Sequence, residues 1–253
     1  MTRFEEYAEK YTTIRMERHD GILQLTFHTD GGSLVWGGDP SPHMEFGYAF
    51  ADIGSDPENR VIIMTGAGED YCTQMALRGG KRSPRTWDKT YWEGKRLLMN
   101  LLEIEVPIIA AVNGPALIHA EIPLLSDIVL PAEHTEFQDA PHFPSGLVPG
   151  DGVHVVWPLL LGPNRGRYFL LTGQKLSAQE ALNLGVVGEV LPREQLLPRA
   201  WELAEQLARQ STLALRYSRI VLTLHLKRLM QDMLGYGLAV EGLAMLGRQE
   251  ESS

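Results

Sequence analysis

The 253-residue sequence predicts an α/β fold, with a mainly parallel sheet in the first two thirds and a helical region after it. Three observations predict this class. The runs RVIIMTG and PIIAAVNG are short, continuously apolar and end in glycine, as strands buried on both faces do where they feed a loop. Helical patterns separate successive runs, so the chain alternates strand and helix, and alternation of that kind builds a parallel sheet with crossover helices. Beyond Val155 helical spacing dominates to the end of the chain.

Taken in order, TTIRMER and ILQLTFH flank Asp20-Gly21, and an Asp-Gly pair between two β-type runs predicts an opening antiparallel hairpin. A helix is expected over Pro42 to Ile53, then the buried strand RVIIMTG. Trp87 to Leu102 repeats its apolar residues at helical spacing and stops before Pro107. PIIAAVNG and SDIVLPAE supply two more strands. NRGRYFLLTG reads as helix, SAQEALNLG as a helix opened by the capping box Ser177 and Glu180, VVGEVL as one short strand, and Gln195–Arg209 and Thr212–Leu246 as the closing helices. The last of these carries apolar residues on more than one face, which predicts packing against another subunit. A division at residue 194 into an α/β core and a helical region for assembly and pocket closure follows.

Composition narrows the function. Hydrophobic content of 44% and charged content of 22% are those of a globular protein, and no apolar run reaches the roughly 20 residues of a membrane span. The charged N-terminus MTRFEEYAEKY has no apolar signal segment, so a cytoplasmic location is expected. Cys72 is the single cysteine, which excludes an internal disulfide and a thiolate-rich zinc site. A formal net charge of -9 repels phosphate backbones, so nucleic acid is not an expected partner. There is no G-x-S-x-G elbow, P-loop lysine or H-E-x-x-H pair, and HAE at His119–Glu121 lacks the P-C-x-x-C a zinc deaminase needs.

In such sheets ligands gather beyond the carboxyl ends of the strands. The loops after Thr65, Val112 and Phe137 are those places here, and three polar groups fall in or near them: His119, then His142 and Asp151 in FQDAPHFPSGLVPGDG, nine positions apart across turn-forming residues. Trp36 in GGSLVWGG joins them. A lone histidine more often serves structure than catalysis, and His19, His28, His43, His134, His154 and His225 are read that way. Ser145 stands near His142 but has no nucleophile elbow around it.

Over essentially its whole length the chain resembles the crotonase (enoyl-CoA hydratase/isomerase) superfamily. VIIMTGAGEDYCTQMAL resembles that family's first oxyanion-hole segment, PIIAAVNGPALIHAEIPLLSDIVLPAEHTEFQ its second, and GLVPGDG its proline-glycine turn. The resemblance implies the crotonase spiral of ββα units, a homotrimer or dimer of trimers, and helical C-terminal packing between subunits. The departures are informative. Ile122 and His142 stand where family hydratases carry their catalytic glutamates, His119 replaces the glycine of the second oxyanion hole, and Thr73, Gln74 and Met75 replace small residues of the first. That pattern is similar to the carbon-carbon bond hydrolases that open cyclic β-diketones, the 6-oxocamphor hydrolase group, on the strength of Trp36, His119, His142, Asp151 and Glu241.

This likeness implies a retro-Claisen hydrolase needing no metal or organic cofactor, acting on a small, bicyclic 1,3-diketone. Water adds to one carbonyl and the departing carbon leaves as the enolate of the other. His142 would activate the water, Asp151 would accept its other ring N–H, and His119 and Trp36 would bind the two carbonyl oxygens. Trp36 reads otherwise as an aromatic packing residue, and Glu241 equally as a pocket group or as a solvated or interface glutamate. Met75, Leu77, Phe143 and Leu147 are expected to shape the apolar pocket. An acyl-CoA hydratase, isomerase or thioesterase, and a non-catalytic family member, stay open as alternatives.

Overall fold

The computed structural model describes residues 1–76 and 83–251. A short helix α1 (Phe4–Tyr7) leads into the hairpin β1 (Ile14–His19) and β2 (Ile22–Phe27), followed by β3 (Leu34–Trp36), α2 (Pro42–Gly54), β4 (Val61–Gly66) and β5 (Cys72–Met75). Next come α3 (Pro84–Glu103), β6 (Ile108–Val112), α4 (Glu121–Leu124), β7 (Ile128–Pro131) and β8 (Glu136–Phe137). The chain ends in α5 (Val153–Leu161), α6 (Pro163–Thr172), β9 (Leu176–Ser177), α7 (Ala178–Asn183), α8 (Arg193–Ala208) and the 40-residue α9 (Thr212–Glu251).

The main sheet runs β1-β2-β4-β6-β7, antiparallel only at the opening hairpin. That hairpin turns at Asp20 and Gly21, both at positive φ, as a tight two-residue turn demands. The middle strands are buried on both faces. One face packs on α2 and α3 through Leu23, Leu25, Phe27, Met64, Leu97 and Leu101. The other is covered by α8, whose Leu196, Ala200 and Ala204 meet Val61, Ile63, Ile109 and Leu130. The helix beginning at Arg193 is therefore part of the sheet's own core. Two small sheets, β3 beside β5 and β8 beside β9, flank the main one and carry the loops that build the site.

The expected strand VVGEVL is not formed. Gly185, at φ 72, turns the chain after α7, and only Leu191 makes a bridge, to Ala132. The segment is held to the edge of β7 by isolated bonds, Gly188 N–H to Val129 O at 3.0 Å and Leu191 N–H to Pro131 O at 3.1 Å, without the continuous ladder of a strand. The capping box at the start of α7 is present as read, with Ser177 and Glu180 bonding reciprocally.

Helix α9 packs against α3 and α5 but leaves Leu213, Tyr217, Val221, Leu222, Tyr236 and Leu243 exposed. Among the described residues no helix is long and apolar enough to cross a membrane.

Candidate active site

A cavity of about 260 Å³ opens where these loops meet α3 and α9. One end is polar, formed by Trp36, His43, His119, His142, Asp151 and Glu241; the rest is largely apolar, with Met75, Trp87, Leu147, Leu238 and Met245. Distant parts of the sequence converge because of their local structure. Trp36 ends β3, His119 lies between β6 and α4, His142 precedes a 3-10 turn at Phe143–Ser145, and Asp151 stands just before α5. Glu241 arrives on α9, which can come close because Gly237 meets the Gly150 carbonyl and Gly242 meets the Trp87 indole, at both of which a Cβ would collide. The same contact is fastened by Trp87 Nε1, which donates to Leu238 O at 2.9 Å.

His119 has φ 51, a left-handed backbone that glycine adopts freely and an L side chain at a cost of roughly 1–2 kcal/mol. Holding a histidine there puts an imidazole at a corner where the loop geometry favours glycine, and strain of this kind gathers at functional positions. Its Nδ1 lies 2.7 Å from Glu121 Oε1 and 3.3 Å from Asp151 Oδ2, and the Trp36 ring lies against it, tilted by 34° with centroids 3.9 Å apart. No described residue bonds its Nε2.

The expected pairing of His142 needs correction. Its Nδ1 is taken by Asp139 Oδ1 at 2.6 Å, so Asp139 is the carboxylate that orients the ring. Asp151 instead faces the other nitrogen: its Oδ2 is 3.3 Å from His142 Nε2 and the same distance from His119 Nδ1, so one carboxylate bridges both histidines. Glu241 Oε1 lies 3.6 Å from the same Nε2.

Burial alone would pull both imidazoles down. For His142 the Asp151 charge and hydrogen bonding to Asp139, Asp151 and Glu241 outweigh it, leaving the ring well above the usual histidine range. For His119 the charges of Glu121 and Asp151 do the same more mildly. Burial would raise Asp151 too, but the two histidines hold it far below the usual carboxylate range. Burial wins at Glu241, pushed up to about 7, and at Glu121, also raised. Glu121 Oε2, Asp139 Oδ2, Asp151 Oδ1 and Glu241 Oε2 are buried with no protein partner. Orphaned oxygens at this density are rare in a core built for stability and mark a site that meets water or substrate.

His119, Glu121 and Asp151 also present three potential metal-ligand atoms within 4.8 Å of one another, although the 2.7 Å contact between His119 and Glu121 is a hydrogen-bond distance.

Sequence reasoning brought together Trp36, His119, His142, Asp151, Glu241 and Met75, all of which line the cavity. It also expected Phe143 there, but that ring is half exposed and does not line the cavity; neighbouring Pro141 and Ser145 do. Leu77 lies outside the described residues. Ser145 donates its hydroxyl to Ala140 O at 3.1 Å and its backbone N–H to His142 O at 2.9 Å, so the hydroxyl is turned away from the His142 ring. His154, read as structural, lies 3.3 Å from Met233 O through Nε2 and packs under Gly237.

Reasoning from the sequence missed Asp139, Glu121 and His43. The first two could have been found from their spacing, three before His142 and two after His119. His43 had no local signal: it is buried on α2, edge-on to Trp36 with centroids 5.8 Å apart and with Glu93 Oε2 3.6 Å from its Nδ1. Burial holds His43 below the usual histidine range; it would raise Glu93, but His43 and Lys89 keep that carboxyl low.

Known proteins place the fold. The enoyl-CoA hydratase/isomerase family profile matches residues 40–236. The chain is 53% identical to a solved beta-diketone hydrolase, ABDH, from the cyanobacterium Anabaena sp. PCC 7120, bound to (S)-3-oxocyclohexyl acetic acid; 96% of this chain and 98% of that one are covered, with a TM-score of 0.94. An enoyl-CoA hydratase/isomerase from Mycobacterium paratuberculosis is 26% identical over 93% of this chain and 94% of its own, with a TM-score of 0.82. Carnitinyl-CoA dehydratase of Citrobacter koseri is 31% identical over 208 residues, 80% of this chain and 77% of that protein. With a profile spanning most of the chain and a fold shared almost throughout, the protein belongs to the enoyl-CoA hydratase/isomerase family and has the crotonase fold.

Proposed function

We propose that this protein hydrolyses a carbon-carbon bond of a cyclic, bicyclic β-diketone to a keto acid. The observation that carries the reading is the bridged pair: buried His142 and partly buried His119, each 3.3 Å from the same oxygen of Asp151, at the polar end of a cavity otherwise largely apolar. A 1,3-diketone has two carbonyl oxygens a short distance apart and an apolar ring skeleton. Similarity to the Anabaena beta-diketone hydrolase supports the same reading.

In the proposed reaction His142 Nε2 takes a proton from water as the oxygen adds to one carbonyl, and Asp139 on Nδ1 holds the ring and stabilises the imidazolium. The tetrahedral centre collapses, the bond to the central carbon breaks, and the electron pair becomes the enolate of the second carbonyl. His119, its Nδ1 engaged by Glu121, offers Nε2 to that enolate oxygen, and Trp36 above the ring offers an indole N–H. Both donate into a pocket with a largely apolar lining, where one such donor contributes about 3–4 kcal/mol. A proton from the histidine–carboxylate cluster then completes the C–H bond.

An acyl-CoA reading draws on the carnitinyl-CoA dehydratase similarity. Against it stand Ile122, buried where the family places a catalytic glutamate, and the imidazole at position 119 in place of the glycine of the oxyanion hole. The exposed apolar face of α9 supports a homotrimer or dimer of trimers, which light scattering at micromolar concentration tests. The decisive experiment follows the loss of a symmetrical bicyclic 1,3-diketone by chiral chromatography, with wild type and His142→Ala side by side. Turnover to one keto-acid enantiomer by wild type alone is the expected result. Turnover by neither, together with micromolar binding of an acyl-CoA, overturns the reading.

A further inference from the structure

Hydrolysis of a diketone consumes neutral molecules and yields a carboxylic acid, which is ionised near neutral pH. The balance is simple. Water supplies oxygen to the new C–O bond, one of its protons ends on carbon, and the other is released as the product becomes a carboxylate. A buried cluster of histidines and carboxylates that keeps that proton is in the wrong state for the next turnover.

One pair of side chains joins the catalytic cavity to a second one. His43 lines the first and is 6% exposed; Glu93, 7% exposed, lines a neighbouring cavity with Asp39, Ser41, Arg85 and Lys89. His43 Nδ1 and Glu93 Oε2 are 3.6 Å apart, a separation that a bridging water or a small side-chain rotation closes. On the outer side, Glu93 Oε1 is 3.6 Å from Lys89 Nζ, whose side chain is 72% exposed. On the inner side His43 faces Trp36 and His119, with ring centroids 5.8 Å and 6.0 Å away, and feels the Asp151 charge. From α3 and α9 it meets Gly94 and, beside that glycine, Leu238, neither of which can carry a proton. His43 and Glu93 have no part in the steps above.

We propose that His43 and Glu93 are a proton relay, carrying the proton released in each turnover from the catalytic cavity to the solvent beside Lys89. The proposal rests on the hydrolase reading. His43 accepts at the cavity side and passes a proton from Nδ1 to the Glu93 carboxylate, which gives it up to water or buffer in the outer cavity. No redox partner or co-reactant other than solvent is needed. A shuttle of this kind acts on turnover and leaves substrate binding alone.

The test measures steady-state turnover of a bicyclic 1,3-diketone by wild type, Glu93→Gln and His43→Asn, in dilute buffer and with added imidazole at constant ionic strength. For Glu93→Gln the expected result is a kcat about tenfold lower in dilute buffer, an unchanged KM, and saturable recovery as imidazole replaces the missing carrier, while wild type is indifferent to buffer. His43→Asn should show the same loss of kcat and the same recovery with imidazole, with KM free to move because His43 lines the cavity, and it stands in if Glu93→Gln does not fold. A kcat equal to wild type in dilute buffer, or a loss that no buffer restores, overturns the relay, the second outcome assigning the pair a structural role. If wild type itself leaves the diketone intact, the hydrolase reading has failed first, and the two failures are told apart.

Discussion

Glu45 and Glu241 are equally buried, each 6% exposed, and could hardly be used more differently. Glu45, on α2, accepts four hydrogen bonds: from Thr12 N and Oγ1 at 3.0 and 3.2 Å, and from Thr13 N and Oγ1 at 2.9 and 2.6 Å. Every lone pair facing the protein is used, and the carboxylate ties the segment before β1 to α2. Glu241 has one oxygen 3.6 Å from His142 and the other without a protein partner. Leaving a buried polar atom unpaired costs roughly 1–3 kcal/mol, so a fold selected for stability alone would not gather four such oxygens around two histidines. Four protein donors mark a brace, whereas a buried oxygen without a protein donor can serve water, substrate or a moving proton.

Substitutions at the two kinds of site should give opposite phenotypes. His142→Ala should lower kcat on a bicyclic diketone by at least about 100-fold, the ordinary contribution of a positioned general base. Glu45→Ala should leave kcat/KM of the folded protein near wild type and reduce stability by about 2–4 kcal/mol, read by denaturant titration, because backbone and hydroxyl donors lose their acceptor together. A His142→Ala protein that unfolds early but keeps its rate would sink the distinction. Next in size is His119→Ala, expected to cost on the order of 10²-fold in kcat through loss of an oxyanion donor. Its KM should change less, since the oxygen it holds becomes fully negative only during reaction.

A smaller effect sharpens the pairing of His142. The charge and hydrogen bonds of its neighbours hold its imidazolium well above the usual histidine range, so a base function requires pH to climb through that raised value. The profile of kcat/KM against pH should rise with a midpoint above 6.5, the ordinary histidine value. Asp139→Asn removes an acceptor that favours the charged ring, so the midpoint should move down, toward acid. A midpoint that stays in place would show that Asp139 does not set the ring's basicity.

Much of this frame was legible in the sequence, and the rest was hidden for physical reasons. Hydrophobic runs and turn residues announced the hairpin, β4, β6, β7 and the long helices, because burial on both faces and tight turns restrict composition. The β3–β5 pair involves Leu34–Trp36 and Cys72–Met75, too short to show a period of their own. VVGEVL had the composition of a strand, but Gly185 and Gly188 left it docked on an edge by separate bonds. In the site, residues read from a loop pattern were found, whereas their partners were not. Asp139, three before His142, and Glu121, opening α4 two after His119, had a spacing that could be read, but which ring nitrogen each carboxylate meets is fixed only by folding. His43 and Glu93 sit on different helices, and nothing in either segment says they will meet.

The subtlest test reads the ionisation of Glu241 itself. Burial raises its carboxyl from the usual glutamate range to about 7. The folded protein therefore keeps this proton at pH values where the unfolded chain has lost it. By linkage, stability falls as pH climbs from about 4.5, the unfolded value, to about 7, and levels off above that. Glu241→Gln cannot ionise, so it should gain on wild type by about 1–3 kcal/mol at pH 8, and the gain should shrink toward pH 5. Diketone turnover should fall in the same variant, because an amide cannot exchange a proton with His142. A variant more stable in alkali and slower at its reaction would mean that the carboxylate is kept against the interest of the fold. If Glu241→Gln is instead destabilised equally at both pH values, Glu241 belongs with Glu45 as a brace.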